Sequence, residues 1–148
     1  EVSREIDTVV DAINDIEKVR KQLEDLRDLY GHDSSYKAVM AAAKTLDGKL
    51  TGVEDQLLDP VLQENDQKTY RAPMRLYLRL LFLEGVVGSG AGDVAGDPDF
   101  APTASAIAVH DELRARLTTV LAQYHQVMAR DVLAFNRDVA GRAAIPAR

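Results

Sequence analysis

The chain contains no cysteine, which excludes a disulfide framework and a thiolate metal cage and leaves the compartment open. It also lacks a basic surplus. With a net charge of −6 and a pI near 5.0, it has no concentrated positive surface to release counterions from a polyanion, so no nucleic-acid partner is expected. Long apolar runs are missing too. The strongest is interrupted by Arg75, Arg79 and Glu84, so no membrane span is expected and the chain reads as soluble. Nowhere does Glu-x-x-His occur. A carboxylate-bridged di-iron site in a helical bundle needs that motif on two helices, because i,i+3 spacing points both ligands inward. Without a cysteine nucleophile or a serine in an elbow motif, nucleophilic catalysis has no candidate. We therefore expect no enzyme, no catalytic residue, no metal and no cofactor.

Helical periodicity, by contrast, is abundant. The 148 residues fit one domain, 1–148, able to bury roughly 70% of the unfolded surface. Val2, Ile6, Val9, Ile13, Ile16, Val19 or Arg20, Leu23, Leu26 and Tyr30 keep 3/4 spacing up to Gly31, a single stripe on one long helix. Asp33 can cap a second helix carrying Tyr36, Val39, Ala43, Leu46, Leu50, Val53 and Leu57, which Asp59-Pro60 stops. After the polar connection LQENDQKTYRA, Pro73 can open a third, since its missing N–H costs nothing in a first turn. A fourth starts near Thr103 and runs through Leu113, Leu117, Val120, Leu121, Tyr124, Val127, Met128 and Leu133 to Phe135. No segment signals a strand. The expectation is an all-α, antiparallel up-down four-helix bundle with helices at about 2–30, 34–58, 73–88 and 103–140. The pattern begins at once, with no leader ahead of it, and we expect a domain cut from a larger chain.

Several motifs invite a chemical reading. Asp28 and His32 are spaced i,i+4 but straddle Gly31, and two groups lack the ligand count of a metal site. Asp7, Asp11 and Asp15 line one face and read as a solvated row of like charges. The stretch VHDELRARLTTVLAQYHQVM, Val109 to Met128, resembles the phospho-accepting helix of sensor histidine kinases. Asp111 separates His110 from Glu112, turning His110 by about 100° relative to the residues after it, and Arg116 stands where that pattern has proline. His110 then reads as a surface or seam histidine. The glycine-rich GSGAGDVAGDPDF, 88–100, comes after a helix and lacks Gly-Lys-Ser, so it reads as a connection and not a phosphate cradle.

The third helix has two apolar faces. Leu76, Leu80, Leu83 and Val87 form one, while Met74, Leu78, Leu81 and Phe82 form another roughly opposite. One stripe suffices for an outer helix, so the second is expected to find cover under the terminal tail, a second copy of the chain or a parent domain, or else inside the bundle if the helix is wedged deeper than its neighbours. Cover by a partner makes the face an interaction surface, with Leu78→Asp disrupting assembly and sparing the fold.

The order of motifs carries a resemblance. INDIEKVRKQLEDL (Ile13 to Leu26), YRAPMRLYLRLLFLEGVV (Tyr70 to Val87), APT (Ala101 to Thr103) and FNRDV (Phe135 to Val139) together resemble the C-terminal helical region of large bacterial sortilin-like proteins. Those proteins carry β-propellers of sialidase-type Asp-box (BNR) repeats, often labelled glycosyl-hydrolase-like. The resemblance covers nearly the whole chain. It implies an exported or periplasmic parent and a non-catalytic accessory domain that packs against the parent propeller or mediates assembly, and it supplies no catalytic residue here. The alternative is a signalling or ligand-sensing bundle centred on His110.

Overall fold

In a computed structural model, the structure describes residues 1–59, 74–88 and 102–140. The connection 62–72, Pro73, and all of the glycine-rich stretch beyond Gly88 lie outside them, and so do the expectations attached to those segments. All regular structure among the described residues is helical. Helix α1 spans Val2–Tyr30, α2 spans Lys37–Leu57, α3 spans Leu76–Gly88 and α4 spans Ala104–Gln126. A π-helical segment, Val127–Val132, continues α4 into α5, Leu133–Ala140. The backbone stays right-handed helical through both junctions, at Val127 (φ −64°, ψ −47°) and Leu133 (φ −66°, ψ −38°). The all-α class and the four helical runs of the sequence expectation therefore stand.

Local chemistry sets the ends. Gly31 caps the end of α1 with right-handed φ −62°, so its lack of a side chain matters for space: a Cβ there would lie 2.5 Å from the Arg27 carbonyl oxygen. Asp33 accepts from the Ser35 N–H at 2.9 Å and caps a 3-10 turn, Ser34–Tyr36, ahead of α2. Across that turn the Tyr30 and Tyr36 rings stack with centroids 4.4 Å apart. Thr103 caps α4 by accepting from the Ala106 N–H at 3.2 Å.

Side-chain pairs fix the directions. Starting from the stacked tyrosines, Arg20 lies back along α1 and reaches Asp47 and Glu54 forward along α2, so these two helices are antiparallel. Glu5 meets His110 and Asp15 meets Tyr124, so α4 runs parallel to α1. Gln56 meets Gln123 while Lys49 meets Asp131, making α2 antiparallel to that last run. Helix α3 starts beside Gln56 at the end of α2, and Glu84 near its own end accepts from Ser3 in the first turn of α1. Thus α3 continues in the direction of α2, where strict alternation along the sequence would have reversed it. The reason is length. At 1.5 Å per residue α1 is about 44 Å long and α2 only about 32 Å. The 13 residues of α3 cover the part of α1 that α2 leaves bare.

The stripes meet in one core. Val9, Ile16, Leu50, Leu57, Leu80 and Leu113 are its fully buried members, each from a position the periodicity singles out. Two expected core positions are exposed. Val87 is exposed because α3 has already reached Ser3 at Glu84 and runs past the start of α1. Leu133 is exposed as well, because the π segment widens the helix just before it and re-aims the stripe through Val132 and Phe135.

One polar group sits inside the α1–α2 seam. Glu54 is 4% exposed; Oε2 pairs with Arg20, and Oε1 is buried with no hydrogen-bond partner among the described residues. Burial disfavours the Arg20 charge, but the Asp47 hydrogen bond and the Glu54 charge outweigh it and hold its pKa above the usual arginine value. Arg20→Ala would strand the Glu54 charge. The expected cost is about 1–3 kcal/mol, discounted from the fully buried case because Arg20 is 35% exposed. Urea denaturation measures it, and Arg20→Met with Glu54→Leu should recover most of the loss. A cost below about 0.5 kcal/mol would show the pair to be dispensable.

Candidate functional site

The two faces of α3 separate in the structure. Leu76, Leu80 and Leu83 are buried, whereas Phe82 is 68% exposed, Met74 is 60% exposed and Leu81 is exposed. Leu78 lies between them, half-buried. The structure therefore brings together the four residues of the second apolar face, and none of the three exposed ones is taken into the core.

Phe82 and Met74 also border a groove. Between α3 and α4 lies a cavity of about 330 Å³ lined by Met74, Phe82, Val86, Ala106 and Val109, with Leu83 and Leu113 at its floor. Val86 and Val109 are exposed apolar residues that the sequence pattern did not single out. Val109 adjoins the α4 stripe by helical spacing, so periodicity could have found it; the exposure of Val86 depends on where α4 ends up. Removing this much apolar surface from water would stabilise a complex at about 25 cal/mol per Å², and exposed patches of this kind mark interaction sites.

At the other side of Met74 the lining changes sign. A second cleft of about 250 Å³ is bounded by Gln56, Met74, Arg75, Leu76, Arg79, Arg116 and Val120. In the sequence Arg75 and Arg79 register only as interruptions of an apolar run, and Arg116 only as a residue standing where a motif has proline. Their meeting requires the end of α2, the start of α3 and the middle of α4 to converge, a long-range event with no local signature.

His110 lies in the seam and not on a free surface. Its Nε2 is 2.8 Å from Glu5 Oε2, and the two side chains are 17% and 14% exposed. Arg114 adds a contact to Glu1 at 2.8 Å. Asp28 and His32 are exposed around the end of α1. The Asp7, Asp11 and Asp15 row is solvated only in part: Asp15 is paired with Lys18 at 3.2 Å and accepts from the Tyr124 hydroxyl at 3.0 Å. These hydrogen bonds, from Lys18 first and Tyr124 second, lower its pKa. No helix among the described residues is long and apolar enough to cross a membrane.

Two measurements check this picture. Leu80→Ala should cost about 2–5 kcal/mol by cavity formation, whereas Phe82→Ala, two residues on and outward-facing, should stay within about 0.5 kcal/mol. Equal losses in urea melts would place both residues in the core. Burial, with Asp15 adding to it, pushes the Tyr124 phenol up to about 12, so the folded state favours the neutral form. That contribution is full below pH 10 and is lost as pH rises through about 12. Ultraviolet titration should show one late-ionising tyrosine, absent in Tyr124→Phe.

Compared with protein-family models, with curated proteins and with solved structures, the chain gives no match to any of them, so the functional reading rests on the chemistry of the surface itself.

Proposed function

We propose that the chain is a non-catalytic helical interaction domain, an antiparallel bundle that docks on a larger parent protein through the outer face of α3 and the α3–α4 groove. The observation that carries it is the exposure of Met74, Leu81 and Phe82 on a helix whose other face is already buried. An outer helix of a bundle needs one stripe, and leaving a second in water lowers solubility without stabilising the fold. The partner we infer is the β-propeller region of a sortilin-like, BNR-repeat parent, exported or periplasmic. The motifs of α1, α3 and the last helical run support that inference by resemblance alone.

The signalling alternative gains nothing from the geometry. A phospho-accepting histidine must present a ring nitrogen to the donor, and the His110 side chain is only 17% exposed with its Nε2 engaged by Glu5.

Phe82→Asp puts a charge on the most exposed aromatic position of the face and is a cleaner probe than the half-buried Leu78. Light scattering on mixtures with the propeller-bearing segment of the parent should show a one-to-one complex. Phe82→Asp should weaken it at least tenfold while circular dichroism and the melting temperature stay unchanged. If that variant binds as well as the parent sequence, or unfolds, the docking reading is wrong. Self-association abolished by Phe82→Asp would instead assign the face to a second copy of the chain.

A further inference from the structure

We propose that the cleft lined by Arg75, Arg79 and Arg116 is a receptor for a carboxylate borne next to an apolar group, such as an acidic side chain flanked by an apolar one on the docking partner. This rests on the docking role proposed above and specifies its chemistry.

Charge is the first argument. The protein carries a net charge of −6, yet three arginines line one cleft of about 250 Å³. Among the described residues the carboxylate that meets them is Glu112, 3.8 Å from Arg79 and 3.7 Å from Arg116. Both separations exceed hydrogen-bond length. Glu112 is also well exposed, with a side chain 59% accessible, so solvent screens what neutralisation it offers. Among the described residues the cleft is left with a surplus of positive charge.

An orphaned donor is the second. The Arg75 Nε is buried and has no hydrogen-bond partner among the described residues. A buried donor of this kind is costly to leave unmade, more so on a charged group. Guanidinium presents its N–H groups in a planar fork that matches the two oxygens of a carboxylate, and a carboxylate that displaces the cover over Nε would complete the Arg75 set.

Continuity is the third. Met74 and Arg79 line this cleft and also the apolar groove, so a ligand placed at their junction meets hydrocarbon on one side and cations on the other. Gln56 adds an amide at the rim, and Leu76 and Val120 wall the cleft. A bare phosphate would satisfy the arginines and leave those walls unfilled. The volume admits a side chain, not a nucleotide, and the acidic balance of the chain opposes a polyanion.

Hexanoate is a minimal probe of both halves, with hexanol and inorganic phosphate as controls. Titrated into the labelled chain and followed by NMR, hexanoate should move the Arg75 and Arg116 Nε–H signals together with the Met74 methyl. Its affinity should exceed that of either control at least fivefold. Arg75→Gln and, on the more exposed side, Arg116→Gln should each weaken it by about threefold or more, with unchanged melting curves as the check on folding; Arg116→Gln decides if Arg75→Gln perturbs the fold. Phosphate binding as tightly as hexanoate would show a bare anion site, and hexanoate moving the Met74 methyl alone would show a purely apolar one. Either result, or no saturable shift, overturns the inference. Complex formation with the propeller segment separates the two readings. If Phe82→Asp abolishes it and the arginine variants leave it intact, the carboxylate receptor fails and the docking role survives. If Phe82→Asp has no effect, the docking role fails and the hexanoate titration alone judges the cleft.

Discussion

The apolar stripe of α1 is the constraint on which the other helices depend. It runs from Ile6 to Leu23, half-buried only at Val19 and Arg20, with Val9 and Ile16 fully buried, and an exposed stripe of that length would be costly in water. No single described partner matches it. Helix α2 covers the half nearest the Tyr30–Tyr36 turn, and α3 covers the half nearest Ser3. The last helical run lies alongside both, holding α1 through Glu5–His110 and Asp15–Tyr124 and holding α2 through Gln56–Gln123 and Lys49–Asp131. In cross-section the molecule therefore presents three helices at most levels although four helical runs build it. That arrangement comes from the mismatch in length between α1 and α2.

Keeping one stripe aligned over the last run needs a correction of phase. Three and four residues beyond the buried Val127 stand Arg130 and Asp131, and the next apolar residue in line is Val132, five residues on. The π segment at Val127–Val132 accommodates that extra residue, since a wider turn advances the chain through a smaller angle per residue. Val127 stays buried before it and Phe135 still packs against the core after it. Asp131, within the segment, bonds Lys49 at 2.7 Å. The bulge thus has a structural explanation complete in itself.

Most of the core was legible in the sequence, because 3/4 spacing on a long helix leaves little freedom about which side faces inward. Val39, Ala43, Leu46, Leu50, Val53 and Leu57 are all buried as their spacing requires. Helix starts were legible where a side chain makes the cap, at Asp33 and Thr103. Direction was not. Whether α3 reverses or continues the course of α2 depends on which stretch of α1 remains uncovered, and no local pattern encodes that. The arginine cleft was hidden for the same reason: Arg75, Arg79 and Arg116 come from two helices that meet only after the length of α1 has been shared out. The salt link of Arg20 to the buried Glu54 was hidden as well, since a glutamate on a core stripe reads as an interruption until its partner is seen.

The two faces of α3 show how the fold leads toward the function. A helix covering the bare end of α1 must be apolar on the side of Leu76, Leu80 and Leu83, and nothing in that task calls for Met74, Leu81 or Phe82. Polar residues there would serve the isolated bundle better, raising solubility at no cost to packing. Folding accounts for one face only. The second face adjoins the groove lined by Val86 and Val109 on one side and three partly paired arginines on the other. An apolar surface bordered by a cationic cleft discriminates among partners in a way an apolar surface alone cannot. On the reading proposed for the cleft, a partner offering hydrocarbon without a carboxylate would leave the buried Nε of Arg75 unsatisfied, and that asymmetry is a source of specificity.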